Sequence, residues 1–226
     1  MEIKVKELVK GVLVICLYFV LQIILATPFI FLLESKKIPE NVLYLIVYLG
    51  LAIIFSIIYR KTLIENIKDF KKNYKTILKS TLKYWFLGLL LMLVSSIVIN
   101  QFNINTTNNQ DANINLFIQA PILQAICAII LAPIIEELVF RRSFKDFTTN
   151  PIIFSLTTGL IFGLVHITSS LTSPQDLIMF VHLIPYSSVG IALGYAYKKN
   201  NNNIIGTMLI HALHNTIAII EILILL

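Results

Sequence analysis

The chain has 226 residues, of which 57% are hydrophobic and only 13% charged, and its mean hydropathy is +0.84. Soluble domains average roughly 45–50% apolar and about 25% charged residues, so this composition excludes an ordinary soluble domain, a disordered chain and a small disulfide scaffold. The net charge of +6 does not by itself indicate a nucleic-acid partner, because the basic residues must first be located along the chain.

Seven apolar runs are long enough to approach the roughly 20 helical residues that cross a hydrocarbon core of about 30 Å. Only the last contains a formal charge, Glu221. The pattern predicts an all-α, polytopic membrane bundle of about seven transmembrane helices. The runs cover residues 11–33, 41–59, 84–100, 116–135, 151–171, 177–197 and 204–226.

The basic residues predict the orientation of these spans, because lysine and arginine are retained in cytoplasmic connections. With the N-terminus placed inside, 16 of the 18 basic residues fall in inside segments and only Lys36 and Lys37 lie outside. We therefore expect an integral cell-membrane protein with a cytoplasmic N-terminus and an external C-terminus, without a nucleic-acid partner. A composition rich in Ile, Lys and Asn favours a prokaryotic source.

The connections between the spans differ in character. Residues 60–83 place apolar side chains at helical spacing between lysines, which predicts an amphipathic helix on the cytoplasmic leaflet; a solvated charged linker is the alternative. Residues 105–113 predict a polar external loop, and residues 200–203 an inside turn. The predicted organisation is one membrane domain over 1–226, with N-terminal spans in 1–100 and a catalytic helical core in 116–226.

Ionisable side chains in spans are costly, by roughly 2.5–3.5 kcal/mol each on insertion scales, and are functional-site candidates. Adjacent helical residues lie about 100° apart, so Glu136 and Glu137 cannot face the same partner. Glu137 and Arg141 are spaced i, i+4 and predict an ion pair. Glu136 then has no local partner, and a carboxylate in such a low-dielectric site can accept a proton near neutral pH.

Two further motifs lie in later spans. Phe162 and His166 share one face of the fifth, and His211 and Asn215 share one face of the last. A carboxylate, two imidazoles and a carboxamide converging between helices would suit hydrolysis by an activated water. Equal depth in the membrane requires the fourth helix to continue past Arg141, as far as about residue 147.

Glu-Glu-x-x-x-Arg, Phe-x-x-x-His and His-x-x-x-Asn, in this order within hydrophobic helices, resemble the CPBP or Abi family of intramembrane endopeptidases. These are prokaryotic relatives of the type II CAAX prenyl endopeptidases, and the resemblance covers about residues 116–226. It implies that Glu136 and His166 activate the water, while His211 and Asn215 stabilise the oxyanion. Glu137, Arg141 and Phe162 would be supporting residues.

The cofactor stays open at this stage. Glu136, His166 and His211 together are a plausible zinc-ligand set, yet the same groups also suffice for a metal-free, glutamate-activated water. His-Glu-x-x-His and Gly-x-Ser-x-Gly are absent from the sequence, which argues against the commonest zinc-protease helix and a serine nucleophile.

The predicted function is hydrolysis of a peptide bond in a membrane-associated, and in one variant prenylated, protein or peptide. Such a substrate would enter from the membrane or from its cytoplasmic face. Two alternatives have different chemistry: a non-enzymatic immunity or scaffold protein whose polar cluster only joins helices, as in bacteriocin self-immunity, and a proton-coupled transporter. The absence of a visible repeat and of paired broken helices disfavours transport.

Overall fold

The computed structural model describes residues 3–172 and 174–225. Regular structure in these residues is helical, without strands. Two 3₁₀ turns, Thr168–Ser170 and Pro174–His182, lie between the sixth and seventh helices. The main helices are α1 Val5–Glu34, α2 Glu40–Ile58, α3 Arg60–Gln101, α4 Asn108–Gln119, α5 Pro121–Arg142, α6 Pro151–Ile167, α7 Leu183–Lys199 and α8 Ile204–Leu225.

Seven helical segments of the described chain are long and apolar enough to cross a membrane, α4 being the helix that is not. The predicted fold class is therefore confirmed, and the chain is an integral membrane protein. The last predicted run extended to residue 226, and one predicted external connection included residue 173. Both positions lie outside the described residues.

The predicted start of the fourth span at residue 116 is wrong. Residues 116–119 belong to α4, whose first turn is capped by the Thr107 hydroxyl accepting from the Gln110 amide. The chain then turns at Ala120, where φ is −151° and ψ is 79°, and α5 begins at Pro121. Proline disfavours helical geometry in the residue before it, so α4 and α5 cannot be one helix. Much of the predicted external loop at 105–113 is likewise helical.

The segment 60–83 is helical as predicted, but it is not a separate element. It continues without a break into the third span, because no proline interrupts residues 60–101, and the resulting helix has 42 residues. Its N-terminal part passes beneath the ends of three other helices. Contacts there join Thr62 to Arg142, Asp69 to Asn203 and Thr81 to Asn200.

The basic connections meet at one end of the bundle. The Lys4 amide donates to the Phe147 carbonyl at 2.8 Å, and Lys198 Nζ donates to the Lys145 carbonyl at 3.1 Å. Lysines that the sequence assigned to one side of the membrane therefore share one end of the bundle. Which side of a cell membrane that end faces stays a prediction.

Helices α6 and α7 form the closest pair, packed through glycines. A Cβ added at Gly159 would lie 2.5 Å from the Ile191 amide nitrogen, and one added at Gly190 would lie 3.1 Å from Gly159 Cα. Small residues let membrane helices approach until their backbones touch. This approach also brings the Gly190 carbonyl within reach of α5.

The turn between α7 and α8 sets the start of the last helix. Asn201 and Asn202 have φ values of 52° and 58°, which asparagine tolerates better than most residues. Asn203 then accepts from the amides of Ile205 at 3.1 Å and Gly206 at 3.4 Å, as a helix cap does. The cap fixes where α8 begins, and with it the face on which His211 lies.

Candidate active site

The two glutamates lie on a short α-helical stretch between two π-helical segments of α5. Residues Ile126–Leu131 and Leu138–Arg142 are π-helical, and Ala132–Glu137 between them is α-helical. Pro133 accounts for the first interruption, since it has no amide hydrogen and its ring collides with the carbonyl four residues earlier. A π turn relieves that collision by widening the helix, and such turns are frequent at functional sites.

Helix α5 continues past Arg141 by one residue and ends at Arg142. The predicted extension to residue 147 is wrong, because non-helical turns follow from Ser143. Arg141 itself is fully buried. The shorter helix still brings Glu136 to the depth of His211, as the contacts below demonstrate.

The ion pair predicted between Glu137 and Arg141 is present deep in the bundle. Both side chains are 0% exposed, and Arg141 Nε lies 3.7 Å from Glu137 Oε2. Arg141 Nη2 also donates to the Gly190 carbonyl of α7 at 3.2 Å, and its guanidinium lies 5.1 Å from the centre of the Phe162 ring. Arg141 therefore links α5 to both α6 and α7.

His211 of α8 lies between the two glutamates. Its Nδ1 is 3.0 Å from Glu137 Oε1, and its Nε2 is 3.6 Å from Glu136 Oε2. A carboxylate only accepts, so Nδ1–H donates to Glu137 and the ring is held with Nε2 towards Glu136. The second distance exceeds a direct hydrogen bond, so Nε2 and the Glu136 carboxylate are neighbours without being hydrogen-bonded.

This contact gives Glu137 a function that the sequence did not reveal. Its i, i+4 spacing predicts only the pair with Arg141, whereas the folded chain also uses its second oxygen to orient His211. The sequence could not predict the contact between Glu137 and His211, because it does not indicate which face of α8 packs against α5. Glu136, with a side chain 12% exposed, remains the more accessible carboxylate.

His166 lies at the end of α6, and its orientation is also fixed through Nδ1. That nitrogen donates to the Phe162 carbonyl at 2.8 Å, because a carbonyl oxygen can only accept. Its Nε2 is therefore available for a water or a substrate. The Phe162 ring contacts both imidazoles, with its centre 4.2 Å from that of His166 and 5.9 Å from that of His211. Glu136 is close enough to interact electrostatically with His166.

Asn215 is held slightly apart from this cluster. Its Nδ2 donates to the Ala128 carbonyl, in the first π segment of α5, at 2.7 Å. The i, i+4 spacing does place it on the side of α8 that faces α5, as predicted. Its role in stabilising an oxyanion stays a prediction.

Three tyrosines of the first two helices also approach Glu136. Tyr18 of α1 and Tyr44 and Tyr48 of α2 lie within electrostatic range of its carboxylate. Tyr44 and Tyr48 stack with ring centres 4.3 Å apart, and Tyr18 packs edge-on against Phe140. Composition gave no reason to separate them from the other aromatic residues. Only the i, i+4 spacing of Tyr44 and Tyr48 indicated a shared face.

The remaining histidines lie outside the cluster's direct contacts. His182 Nε2 is 2.9 Å from the Asn105 carbonyl, at the end of the bundle opposite the basic connections. His214 follows His211 on α8, and its Nδ1 is buried without a hydrogen-bond partner among the described residues. Neither belongs to the set that joins Glu136 and His211.

The proposed zinc set was tested against this geometry. Within residues 3–172 and 174–225, no three His, Cys, Asp or Glu side chains are gathered as metal ligands. The Phe162 ring packs against both imidazoles, and the Nδ1 atom of each imidazole is already used, by Glu137 for His211 and by the Phe162 carbonyl for His166. In this arrangement Glu136, His166 and His211 are therefore not gathered as the ligands of a zinc site.

Comparison with known proteins places this site within a matched segment. Residues 118–217 match the family model described as type II CAAX prenyl endopeptidase Rce1-like, and that segment contains all seven predicted site residues. An uncharacterized protein of Mycoplasma capricolum is 24% identical over 199 residues, which is 80% of this chain. The match covers 56% of that relative, so the chain spans about half its length.

No solved structure matches the chain. The similarity to this family is confined to the matched segment, and the three motifs of that segment occur in order in α5, α6 and α8. Over residues 118–217 the chain is therefore similar to the Rce1-like type II CAAX prenyl endopeptidases, which agrees with the resemblance of its motifs.

Proposed function

We propose that this protein is an intramembrane endopeptidase that hydrolyses a peptide bond of a membrane-associated protein or peptide with a water activated by Glu136. One observation carries the proposal: His211 lies between two glutamates inside the bundle, 3.0 Å from one and 3.6 Å from the other. The match of residues 118–217 to an endopeptidase family supports the same class of reaction.

The two glutamates have different tasks in this proposal. Glu137 is buried, pairs with Arg141 and orients His211, so it holds the site together. Glu136 is the more accessible of the two, and it accepts the proton of a water that lies between it and the Nε2 atoms of His211 and His166. A positioned general base of this kind contributes roughly 10²- to 10⁴-fold to a rate.

The reaction then follows in two steps. The water gives a proton to Glu136, and its oxygen attacks the carbonyl carbon of the peptide to form a tetrahedral intermediate with a negatively charged oxygen. In this step His211 acts as an imidazolium: its Nδ1–H donates to Glu137, and its Nε2–H donates a hydrogen bond to that oxygen. Glu137 stabilises the positive charge of the ring. Glu136 finally gives its proton to the departing amine as the carbon–nitrogen bond breaks.

The substrate is proposed to reach the site from the membrane or from the end that carries the basic connections. That end is taken as cytoplasmic, which leaves the C-terminus outside the cell. A prenylated CAAX tail and a transmembrane anchor are two ways in which a peptide could be held at this depth. Peptides with each kind of anchor are therefore included in the test of the proposal.

The test uses the full chain in liposomes with two sets of anchored peptides, one carrying a farnesylated CAAX tail and the other a transmembrane helix. Cleavage is followed by mass spectrometry for the wild type and for Glu136→Gln. The matched control is Glu221→Gln, because Glu221 is an exposed glutamate of α8 remote from the cluster. We expect Glu136→Gln to lower the rate by about 10²- to 10⁴-fold and the control to leave it unchanged. Equal rates for both variants would refute the proposal.

The non-enzymatic alternative has one observation in its favour. Arg141 joins α5, α6 and α7 through contacts with Glu137, Phe162 and Gly190, so part of the polar cluster does hold helices together. A scaffold or immunity protein would need those contacts and would not need Glu136. A biological phenotype that survives Glu136→Gln would favour that alternative.

A further inference from the structure

The first π segment of α5 leaves one backbone carbonyl without its usual donor. In an α-helix the Ala128 carbonyl would accept from the amide of Ala132, four residues later. That amide donates instead to Cys127. In the π pattern the donor to Ala128 would be residue 133, five residues later, but this is Pro133, which has no amide hydrogen.

Asn215 supplies a donor to this carbonyl. Its Nδ2 lies 2.7 Å from the Ala128 oxygen, a good hydrogen-bond length, and it comes from a different helix. A backbone carbonyl inside a membrane bundle that no water reaches requires a donor from the protein. The side chain of Asn215 thus occupies the place of the hydrogen that Pro133 lacks.

We infer that Asn215 is a positioning residue, whose carboxamide replaces the missing amide hydrogen of Pro133 at the Ala128 carbonyl and so fixes the interrupted helix that carries Glu136 and Glu137. The family resemblance assigns this position to the oxyanion, whereas the contact with Ala128 assigns it to the backbone of α5. The effect on cleavage rests on the proposed function, but the effect on the fold does not.

Two contacts then set α8 against α5. His211 meets the glutamates, and one turn later Asn215 meets Ala128. Because α8 is a regular helix, fixing Asn215 also fixes the height and rotation of His211 relative to Glu136. Loss of the Asn215 contact is therefore expected to loosen the 3.6 Å approach of His211 to Glu136.

The test is a double-mutant cycle in which Pro133→Ala gives residue 133 an amide hydrogen. Asn215→Ala, Pro133→Ala and the double variant of the full chain are purified in detergent, and their thermal unfolding midpoints are measured. We expect Asn215→Ala to lower the midpoint by about 2–4 °C, the size typical of one interhelical hydrogen bond in a protein of this length. In the Pro133→Ala background the same change should cost less than half as much, because residue 133 then offers its own amide.

A matched control is Thr216→Val, since the Thr216 hydroxyl donates only within its own helix, to the Ala212 carbonyl. It should shift the midpoint equally in both backgrounds. Cleavage by the wild type and the three variants of the cycle gives the second measurement: the rate lost in Asn215→Ala should be partly restored in the double variant. An oxyanion group would behave otherwise, with an unchanged midpoint and no restoration by Pro133→Ala. Either that pattern or an equal cost of Asn215→Ala in both backgrounds would overturn the inference.

Discussion

Helices α3 and α5 differ in length, in the regularity of their hydrogen bonding and in how much of their apolar surface is buried. Helix α3 runs for 42 residues without interruption, and only 11% of its most apolar stretch is buried. Helix α5 has 22 residues and changes twice to π-helical hydrogen bonding, and 56% of its most apolar stretch is buried. The longer helix leaves most of its apolar stretch exposed, whereas the shorter one carries the buried charged groups of the site.

The comparison indicates that regular α-helical hydrogen bonding is interrupted where buried polar groups need partners in other helices. On α3 the lysines lie on an exposed face, so their charge does not disturb the helix. On α5 the polar groups point into the bundle, where each needs a partner from another helix: His211 for Glu137, Gly190 for Arg141 and Asn215 for Ala128. The interruptions turn these groups towards those partners, at the expense of a regular hydrogen-bond pattern.

The largest stability difference between the two regions should appear on removal of a positive charge. Arg141→Ala leaves Glu137 buried without its cation, so we expect a loss of about 3–5 kcal/mol in the free energy of unfolding. Lys72→Ala on the exposed face of α3 should change it by no more than about 0.5 kcal/mol. Reversible unfolding in mixed micelles measures both. Similar losses for the two variants would mean that Arg141 is not held as the structure indicates.

A smaller contrast is expected between two glycines. A methyl group added at Gly159 would collide with the Ile191 backbone, whereas one added at Gly50 would meet only the mobile end of Leu25, at 2.9 Å. Gly159→Ala should therefore cost about 1–3 kcal/mol and Gly50→Ala clearly less. The comparison is made by the same unfolding measurement. A Gly50 variant as unstable as the Gly159 variant would contradict the close packing assigned to α6 and α7.

The smallest effect should come from the cap of α8. Asn203→Ala removes the acceptor for the amides of Ile205 and Gly206, and also the contact with Asp69 of α3. We expect a loss of about 1 kcal/mol. Asn100→Ala, at an exposed position near the end of α3, is the control and should have little effect. Unchanged stability in both variants would show that the turn does not need this cap.

The sequence predicted what depends on composition and on local spacing. Apolar runs predicted seven spans, and the i, i+4 rule predicted the Glu137–Arg141 pair. It placed the fourth span too early at residue 116, although Pro121 offered a signal for a helix boundary. It also divided α3, because a change from basic to apolar residues does not by itself end a helix.

Contacts between distant segments could not be predicted in this way. The second role of Glu137, the approach of Tyr18, Tyr44 and Tyr48, and the Asn215–Ala128 bond all depend on how helices rotate against each other. The π segments are a further case: Pro133 indicates an irregularity, but not its form.

The central claim is that Glu136 performs chemistry while its neighbour Glu137 maintains structure. The most direct test compares Glu136→Gln and Glu137→Gln, with the cleavage rate and the unfolding midpoint measured on the same preparations. We predict that Glu136→Gln loses at least about 100-fold in rate while its midpoint changes little, and that Glu137→Gln loses both rate and stability. A Glu136→Gln protein that cleaves as fast as the wild type, or that is destabilised as much as Glu137→Gln, would contradict the claim.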